Sequence, residues 1–455
     1  MDADLIKPIK TSFLNQKAKR PLNAGLKIDK LNKEIGISMH DAEKGLEHFK
    51  DKTIMGEKNK IKVPYALAVY DEKEIAAVNR VLESHMTMIG EHTKEFEEKV
   101  ASLFGKKCGI MVNSGSSANL LAFEILDLPN GSEVVTPVLT FSTTVSPIIQ
   151  KNLVPTFVDV EMGSYLADLN QMKDAITKKT RCLMIPSLIG NIPDLSLIRK
   201  VAEENNLWFI EDSCDTLGAK FNGEPTGVYS DISTTSFYGS HVITAAGGGG
   251  MICVNNNKWD KRCRMLRGWG RRSAVDETED INKRFNARVG DVQYDSKFIF
   301  EEVGYNFLPL EISSAFGLEQ LRKLPVFSRI RQQNFSELEK HFSQYEEFFI
   351  LPKQSKEIET SWLAFPLTIK PNAPFSRFDI VACLEENGIQ TRPIFTGNLL
   401  RQPGFKKISH KSFREDFPNA DYIMRNSFIV GCNHGLAKEH IDYMKNTFSA
   451  FLNKF

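Results

Sequence analysis

The sequence predicts an α/β protein: a large domain on a mostly parallel sheet with helices on both faces, then a smaller C-terminal α+β domain. Three observations carry this. Strand-like and helix-like runs alternate from about Val63 to Ser240, as they do when helical crossovers join parallel strands. Beyond about residue 320 that alternation gives way to one long helical run and a single strand–helix pair. The 455 residues, 42% apolar and 25% charged, describe an ordinary globular chain large enough for more than one domain. The expected divisions are 1–60, an N-terminal extension; 61–322, the large domain; and 323–455, the small domain.

Taken in order, the extension contains "LNQKAKRPLNAGLKIDKLNKEIG", lysine-rich, weakly periodic and without readable chemistry. "EHTKEFEEKVASLFG" sets Phe96, Val100, Leu103 and Phe104 at helical spacing, closed by Gly105. "CGIMVN" reads as a buried strand, and "SGSSANLLAFEIL" as a turn into a helix. "EVVTPV" and "VPTFVDV" are strands around a short helical segment, and "RCLMIPSLIG" is another strand. "DLSLIRKVAEENN" is a helix with an acidic start, followed by the strand "LWFIEDSC". "LEQLRKLPVFSRIRQQNFSELEKHF" predicts a long helix interrupted near Pro325. "SWLAFPLTIK" and "SRFDIVACLEENG" follow as strand and helix.

A net charge of +1 gives no reason to expect nucleic acid or an anionic membrane as partner. Seven cysteines without a CxxC pair argue against a disulfide framework and for a reducing compartment. The first residues, "MDADLIKPIKTSF", carry no long apolar run, so neither a signal peptide nor a span is expected and a cytoplasmic location is.

Ligands of parallel sheets sit beyond the carboxyl ends of the strands. Four such ends carry polar or aromatic candidates. In "NSGSSANLL", Gly115 permits a tight turn, and Ser116 and Ser117 stand at a helix N-terminus suited to a phosphate. An ordinary serine cap is the commoner use. In "PVLTFSTT", the ring of Phe141 is placed to line the crevice, where a flat ligand would stack; a plain core aromatic is the alternative. In "FIEDSCDTLGA", Asp212 ends an apolar strand and needs a partner, either a cationic ring nitrogen or the amides of a turn. In "SFYGSHVITAAGGGGMI", Ser236 and His241 precede a run of glycines that allows close backbone approach or a loose turn.

The order and spacing of these segments resemble the DegT/DnrJ/EryC1/StrS group, fold-type I pyridoxal-phosphate enzymes of nucleotide-sugar metabolism. The marks are "NSGSSANLL", "TFSTTVSPIIQKNLVPTFVDV", "IEDSCDTLGA", "SFYGSH" and "GYNFLPLEISSAFGLEQL". In the sugar aminotransferases of this group, the position of His241 holds a lysine that bonds the cofactor covalently, which an imidazole cannot do stably. The same replacement marks a branch, the 3-dehydratases of 4-keto-6-deoxy sugars, which "SFYGSHVIT", "SLIGN" and "IQTRPIFTGNLLRQPGF" also resemble. One kind within it holds a [2Fe–2S] cluster with cysteines after a "WGR"-like segment. Here "LRGWGRRSAVDETEDINKRF" has none, and Cys214 alone cannot supply about four thiolates, so no metal is expected.

The resemblance implies an aspartate-aminotransferase-like fold and a cofactor alternating between pyridoxal 5'-phosphate and pyridoxamine 5'-phosphate, with glutamate as amino donor. It implies a nucleotide-sugar substrate, GDP-linked on the similarity of "GYNFLPLEISSAFGLEQLRKLPVFSRIRQQN", for surface polysaccharide synthesis. His241 would be the proton-transferring base, Asp212 the partner of the pyridine nitrogen, and Phe141 the ring's stacking neighbour. Gly115, Ser116, Ser117 and Ser236 would hold the phosphate, with Asn306 reaching one across a homodimer interface that completes shared active sites. Arg392 and Asn398 would face the substrate. Gly247 stands where related dehydratases often carry a glutamate. An aminotransferase using another lysine, a catalytically inactive nucleotide-sugar-binding homologue, and an oxidoreductase binding NAD through its glycines stay open as alternatives.

Overall fold

The structure, a computed structural model, describes residues 61–275 and 280–455. The expected 1–60 extension lies outside the described residues. Helices α1 (Glu72–Glu83) and α2 (Glu91–Leu103) lead into an eight-stranded sheet. Its strands are β1 (Cys108–Val112), β2 (Glu133–Pro137), β3 (Val154–Val158), β4 (Thr180–Pro186), β5 (Trp208–Asp212), β6 (Ile232–Ser236) and β7 (Gly250–Val254). In space they run β1-β7-β6-β5-β4-β2-β3, and Lys411–Ser412 adds a short strand beyond β3. Every pairing is parallel except the two made by β7. The strands β1 to β6 therefore all end at one edge of the sheet.

Helices cover both faces, which is why strands such as β2 are buried along their whole length and read as unbroken apolar runs. Helix α3 (Gly115–Leu126) follows β1, α4 (Ser142–Gln150) follows β2, and α5 (Leu195–Glu204) precedes β5. Asp194 caps α5 by accepting from the Leu197 amide, as the acidic start of that segment predicts.

The expected boundary at residue 322 falls inside helix α6 (Glu311–Phe342). A second sheet follows, built on the antiparallel pair β8 (Ala364–Ile369) and β9 (Ser427–Gly431), with short strands on each side. One apolar cluster joins β8 and β9 to Phe335, Leu338 and Phe342 of α6, and reaches Val138 and Leu139 beside β2.

One expectation is corrected. Helix α6 is not interrupted at Pro325; it runs unbroken through it for 32 residues. Proline removes one backbone hydrogen bond and crowds the preceding turn. The burial of Leu324 and Phe327 on either side outweighs that local cost.

Candidate active site

The carboxyl ends of β1, β2, β4, β5 and β6 deliver the site. At the end of β5, Asp212 is almost wholly buried. Its Oδ2 accepts from Asn119 Nδ2 at 3.0 Å and Thr144 Oγ1 at 2.8 Å, so α3 and α4 each supply one neutral donor. Its Oδ1 accepts from the Cys214 amide at 3.3 Å, and the Cys214 thiol also bonds this carboxylate. Among the described residues no cation hydrogen-bonds this carboxylate, and its donors are all neutral.

At the end of β1, Ser114 caps α3 by accepting from the Ser117 amide at 3.1 Å. Ser114 was not singled out from the sequence, although serine before a helical run is the usual cap signal. The Ser117 hydroxyl donates to Asn113 Oδ1 at 2.7 Å, while Ser116 is exposed. The amides of Gly115 and Ser116 open the helix and have no intrahelical acceptor. A Cβ on Gly115 would lie 2.7 Å from Ser236 Cβ, so glycine lets the helix start press against the end of β6. A Cβ on Gly250 would lie 2.3 Å from the Ser114 carbonyl carbon. That close approach explains the last of the four glycines, whereas Gly247 faces open space.

His241 lies in the loop after β6. Its amide donates to the Tyr238 carbonyl at 2.9 Å, and its carbonyl accepts from Arg331 Nη2 at 3.3 Å. Its Nδ1 stands 3.4 Å from Oδ1 of Asp215, slightly beyond a formed hydrogen bond, and the backbone of Cys214 lies beside the ring. Burial, then the Arg331 guanidinium, lowers the imidazole to about 4, so it is neutral near neutral pH.

Asp215 is the functional candidate the sequence reading missed; the signal was a second carboxylate three residues after Asp212, which reads locally as a turn. Burial, and then the Asp212 charge, raises it to about 7. Its Oδ2 accepts from the Ile189 amide at 2.9 Å. Ile189 belongs to the "SLIGN" turn after β4 and sits at φ 58° and ψ 14°, a left-handed conformation that costs a β-branched residue about 1–2 kcal/mol.

Phe141, about half exposed, sits just before α4, edge-on to Phe395 with ring centres 5.9 Å apart. The Thr396 hydroxyl donates to the Thr140 carbonyl at 2.6 Å, so the "IFTGN" loop is tied down beside this ring. Asn398 is buried there; its Nδ2 donates to Asp421 Oδ1 at 2.8 Å and its Oδ1 accepts from the Leu400 amide. Arg392 stacks over Tyr65 at 4.7 Å and donates to the Thr391 carbonyl. Asn306 is exposed beside Phe307, whose carbonyl accepts from the Asn113 amide. Packing and hydrogen bonds thus bring together Gly115, Ser117, Asp212, Ser236 and the neighbours of His241. No hydrogen bond among the described residues brings Arg392 or Asn398 into that group.

The arrangement fits an aromatic cation carrying a phosphate. Asp212 offers a ring N–H a carboxylate bonded by neutral donors, the start of α3 has free amides and glycine-tight packing for an anion, and Phe141 offers a face. Among the described residues no cluster of metal-ligating side chains accompanies it.

Such a site on such a sheet defines a class, and the chain belongs to the DegT/DnrJ/EryC1/StrS aminotransferase family, whose pattern matches residues 69–449. It is 36% identical to the lipopolysaccharide biosynthesis protein RfbH of Salmonella typhimurium, over 86% of this chain and 91% of that one. It is 34% identical to GDP-4-keto-6-deoxy-D-mannose 3-dehydratase of Yersinia pseudotuberculosis, over 86% and 98% of the two chains. Among solved structures, the E. coli GDP-4-keto-6-deoxy-D-mannose-3-dehydratase with bound hydrated PLP superposes with a TM-score of 0.78 at 31% identity, over 85% of this chain and 99% of that one. A further structure of a dehydratase of that name, with a trapped PLP–glutamate adduct, has a TM-score of 0.77 at 30% identity, over 85% and 99%.

Proposed function

We propose that this chain is a pyridoxal-phosphate/pyridoxamine-phosphate-dependent 3-dehydratase of an NDP-4-keto-6-deoxyhexose, giving a 4-keto-3,6-dideoxy sugar for surface polysaccharide. GDP-4-keto-6-deoxymannose is the leading substrate, in line with the activity that gives two of its relatives their name. What supports the reading is an imidazole, His241, at the position where the resemblance puts a cofactor-bonding lysine, with its Nδ1 3.4 Å from Asp215, three residues after the buried Asp212 carboxylate suited to a pyridine nitrogen.

When bound, the cofactor supplies an amine that joins the sugar ketone and a ring that accepts electrons as the C3 hydroxyl leaves. Asp212 keeps the ring nitrogen protonated, since a carboxylate in a site of low polarity favours a cation beside it. The free amides of α3, with Ser116, Ser117 and Ser236, bind the phosphate. His241, neutral and weakly basic, takes up a proton at Nε2 and returns one to the departing hydroxyl. The "IFTGN" loop limits water at the rim beside Phe141. Arg392 and Asn398 serve the substrate side less directly, through the position of that loop and its flank. No cysteine stands in 266–285, so the reaction runs without an iron–sulfur cluster.

Glutamate is the amino donor, in line with the adduct in a similar structure. The enzyme works as a homodimer with shared sites, Asn306 reaching the partner's phosphate. Exposed Ile281, Phe285, Phe298, Phe300 and Val303 supply an apolar contact surface for it. No described helix is long and apolar enough to cross a membrane, and the reaction belongs in the cytoplasm.

The deciding experiment incubates the protein with pyridoxal phosphate, glutamate and a panel of GDP-, CDP-, UDP- and dTDP-linked 4-keto-6-deoxyhexoses, with products read by mass spectrometry. Loss of the C3 oxygen is expected with one of them. A 4-amino sugar as sole product, or no turnover across the panel, overturns the reading.

A further inference from the structure

We propose that Asp215 is the positioning residue that sets the tautomer of His241; this rests on the dehydratase reading above. A base must present a bare nitrogen. Of the two ring nitrogens of a neutral imidazole, one carries hydrogen, and the partner of that one decides which. Here Nδ1 faces the Oδ1 of Asp215 at 3.4 Å, and the backbone of Cys214 is the other acceptor beside the ring. An ionised Asp215 holds the hydrogen at Nδ1 and leaves Nε2 with its lone pair free.

The carboxylate is itself aimed. Its other oxygen is pinned by the Ile189 amide, and Ile189 adopts its strained left-handed turn in presenting that amide. Ile189 and His241 belong to one closed frame. The Ile189 carbonyl accepts from the Leu363 amide at 2.8 Å, and the Leu363 carbonyl accepts from Arg331 Nη1 at 3.1 Å. Arg331, fully buried, returns through Nη2 to the carbonyl of His241. The frame that aims the carboxylate thus also holds the backbone of His241, whose ring faces it.

The groups facing the pair are Asp212, Arg331 and the backbone of Cys214. Asp212 and burial favour a protonated Asp215, and Arg331 opposes both a charged imidazole and a neutral carboxyl. Asp215, raised to about 7, ionises as pH climbs through that value, and only its ionised form favours hydrogen on Nδ1 of the neutral imidazole.

Nitrogen-15 NMR of histidine-labelled protein without cofactor reads the tautomer directly. The expected wild-type signal is hydrogen on Nδ1 near pH 8. Asp215→Asn, whose amide donates to Nδ1, should move the hydrogen to Nε2. It should lower kcat by about 100-fold or more, leave KM within about threefold, and abolish the rising limb of the pH profile. Asp215→Glu should restore the limb in part. Hydrogen on Nε2 in the wild type, or an Asp215→Asn enzyme with wild-type kcat and pH profile, overturns the proposal. The wild-type spectrum decides even if the variants do not fold. A wild type with the expected tautomer but no turnover of any panel sugar would sink the dehydratase reading and leave the tautomer assignment standing.

Discussion

At the scale of single residues, the site works through groups kept from their ordinary charge. His241 is neutral because burial and Arg331 both oppose a proton. Replacing it with lysine puts a flexible primary amine where an aldehyde would be captured. His241→Lys should form a borohydride-reducible link to the cofactor, mapped by peptide mass, and lose dehydration; retained dehydration would remove the imidazole from the chemistry. A second buried histidine tests the electrostatics away from catalysis. His434 accepts from Arg331 Nε at 3.1 Å, stacks on Phe327 at 3.9 Å, and is lowered to about 3 by burial and then Arg331. Its folded value lies below the ordinary 6.5, so between those values the unfolded chain binds a proton that the folded chain refuses. Stability should therefore fall as pH drops from about 6.5 toward 3. Over the upper part of that window His241 acts in the same sense, and Asp215, held protonated in the fold, in the opposite one. In urea titrations at pH 5 and pH 7, His434→Gln should narrow the difference between midpoints; an unaltered difference would exclude His434 as its source.

At the scale of elements, chemistry is delivered by junctions. Helix α3 starts where Gly115 meets Ser236, and the Asp212 carboxylate is clamped by one residue from each of two helices. These segments were legible because strand, turn and helix follow one another within about ten residues, and each carries its own cap or glycine. Helix α6 was misjudged at Pro325 because proline's cost is local whereas its neighbours' burial is not. Pro325 itself is exposed, so Pro325→Ala restores a backbone donor at no cost in packing. The variant should be more stable by about 1–3 kcal/mol in urea unfolding, with unchanged turnover. A loss of stability would mean that the proline shapes α6 in a way the second sheet requires.

At the scale of the whole molecule, the main sheet carries the residues proposed to hold the cofactor, and Arg331 of α6 ties the His241 carbonyl to that of Leu363. The exposed apolar side chains between Ile281 and Val303, with Val303 97% exposed, are the surface expected to close against a second copy. Val303→Asp combined with Phe300→Asp should shift the protein from dimer to monomer in light scattering and weaken retention of the phosphate-bearing cofactor. Dimers of undiminished affinity would place the interface elsewhere.

The sequence alone determined the strand order of events along the chain, the parallel sheet, and the strand-end positions of Gly115, Asp212, Ser236 and His241, because apolar periodicity and turn chemistry are local properties written in neighbouring residues. Only the tertiary structure decided that Asp215 faces His241, that Ile189 adopts a left-handed turn beside it, and that Asn398 turns to Asp421 and Arg392 to Tyr65. Those pairings join residues from 23 to more than 300 positions apart. Such choices are made by which groups must be satisfied once water is excluded, and no local pattern records them.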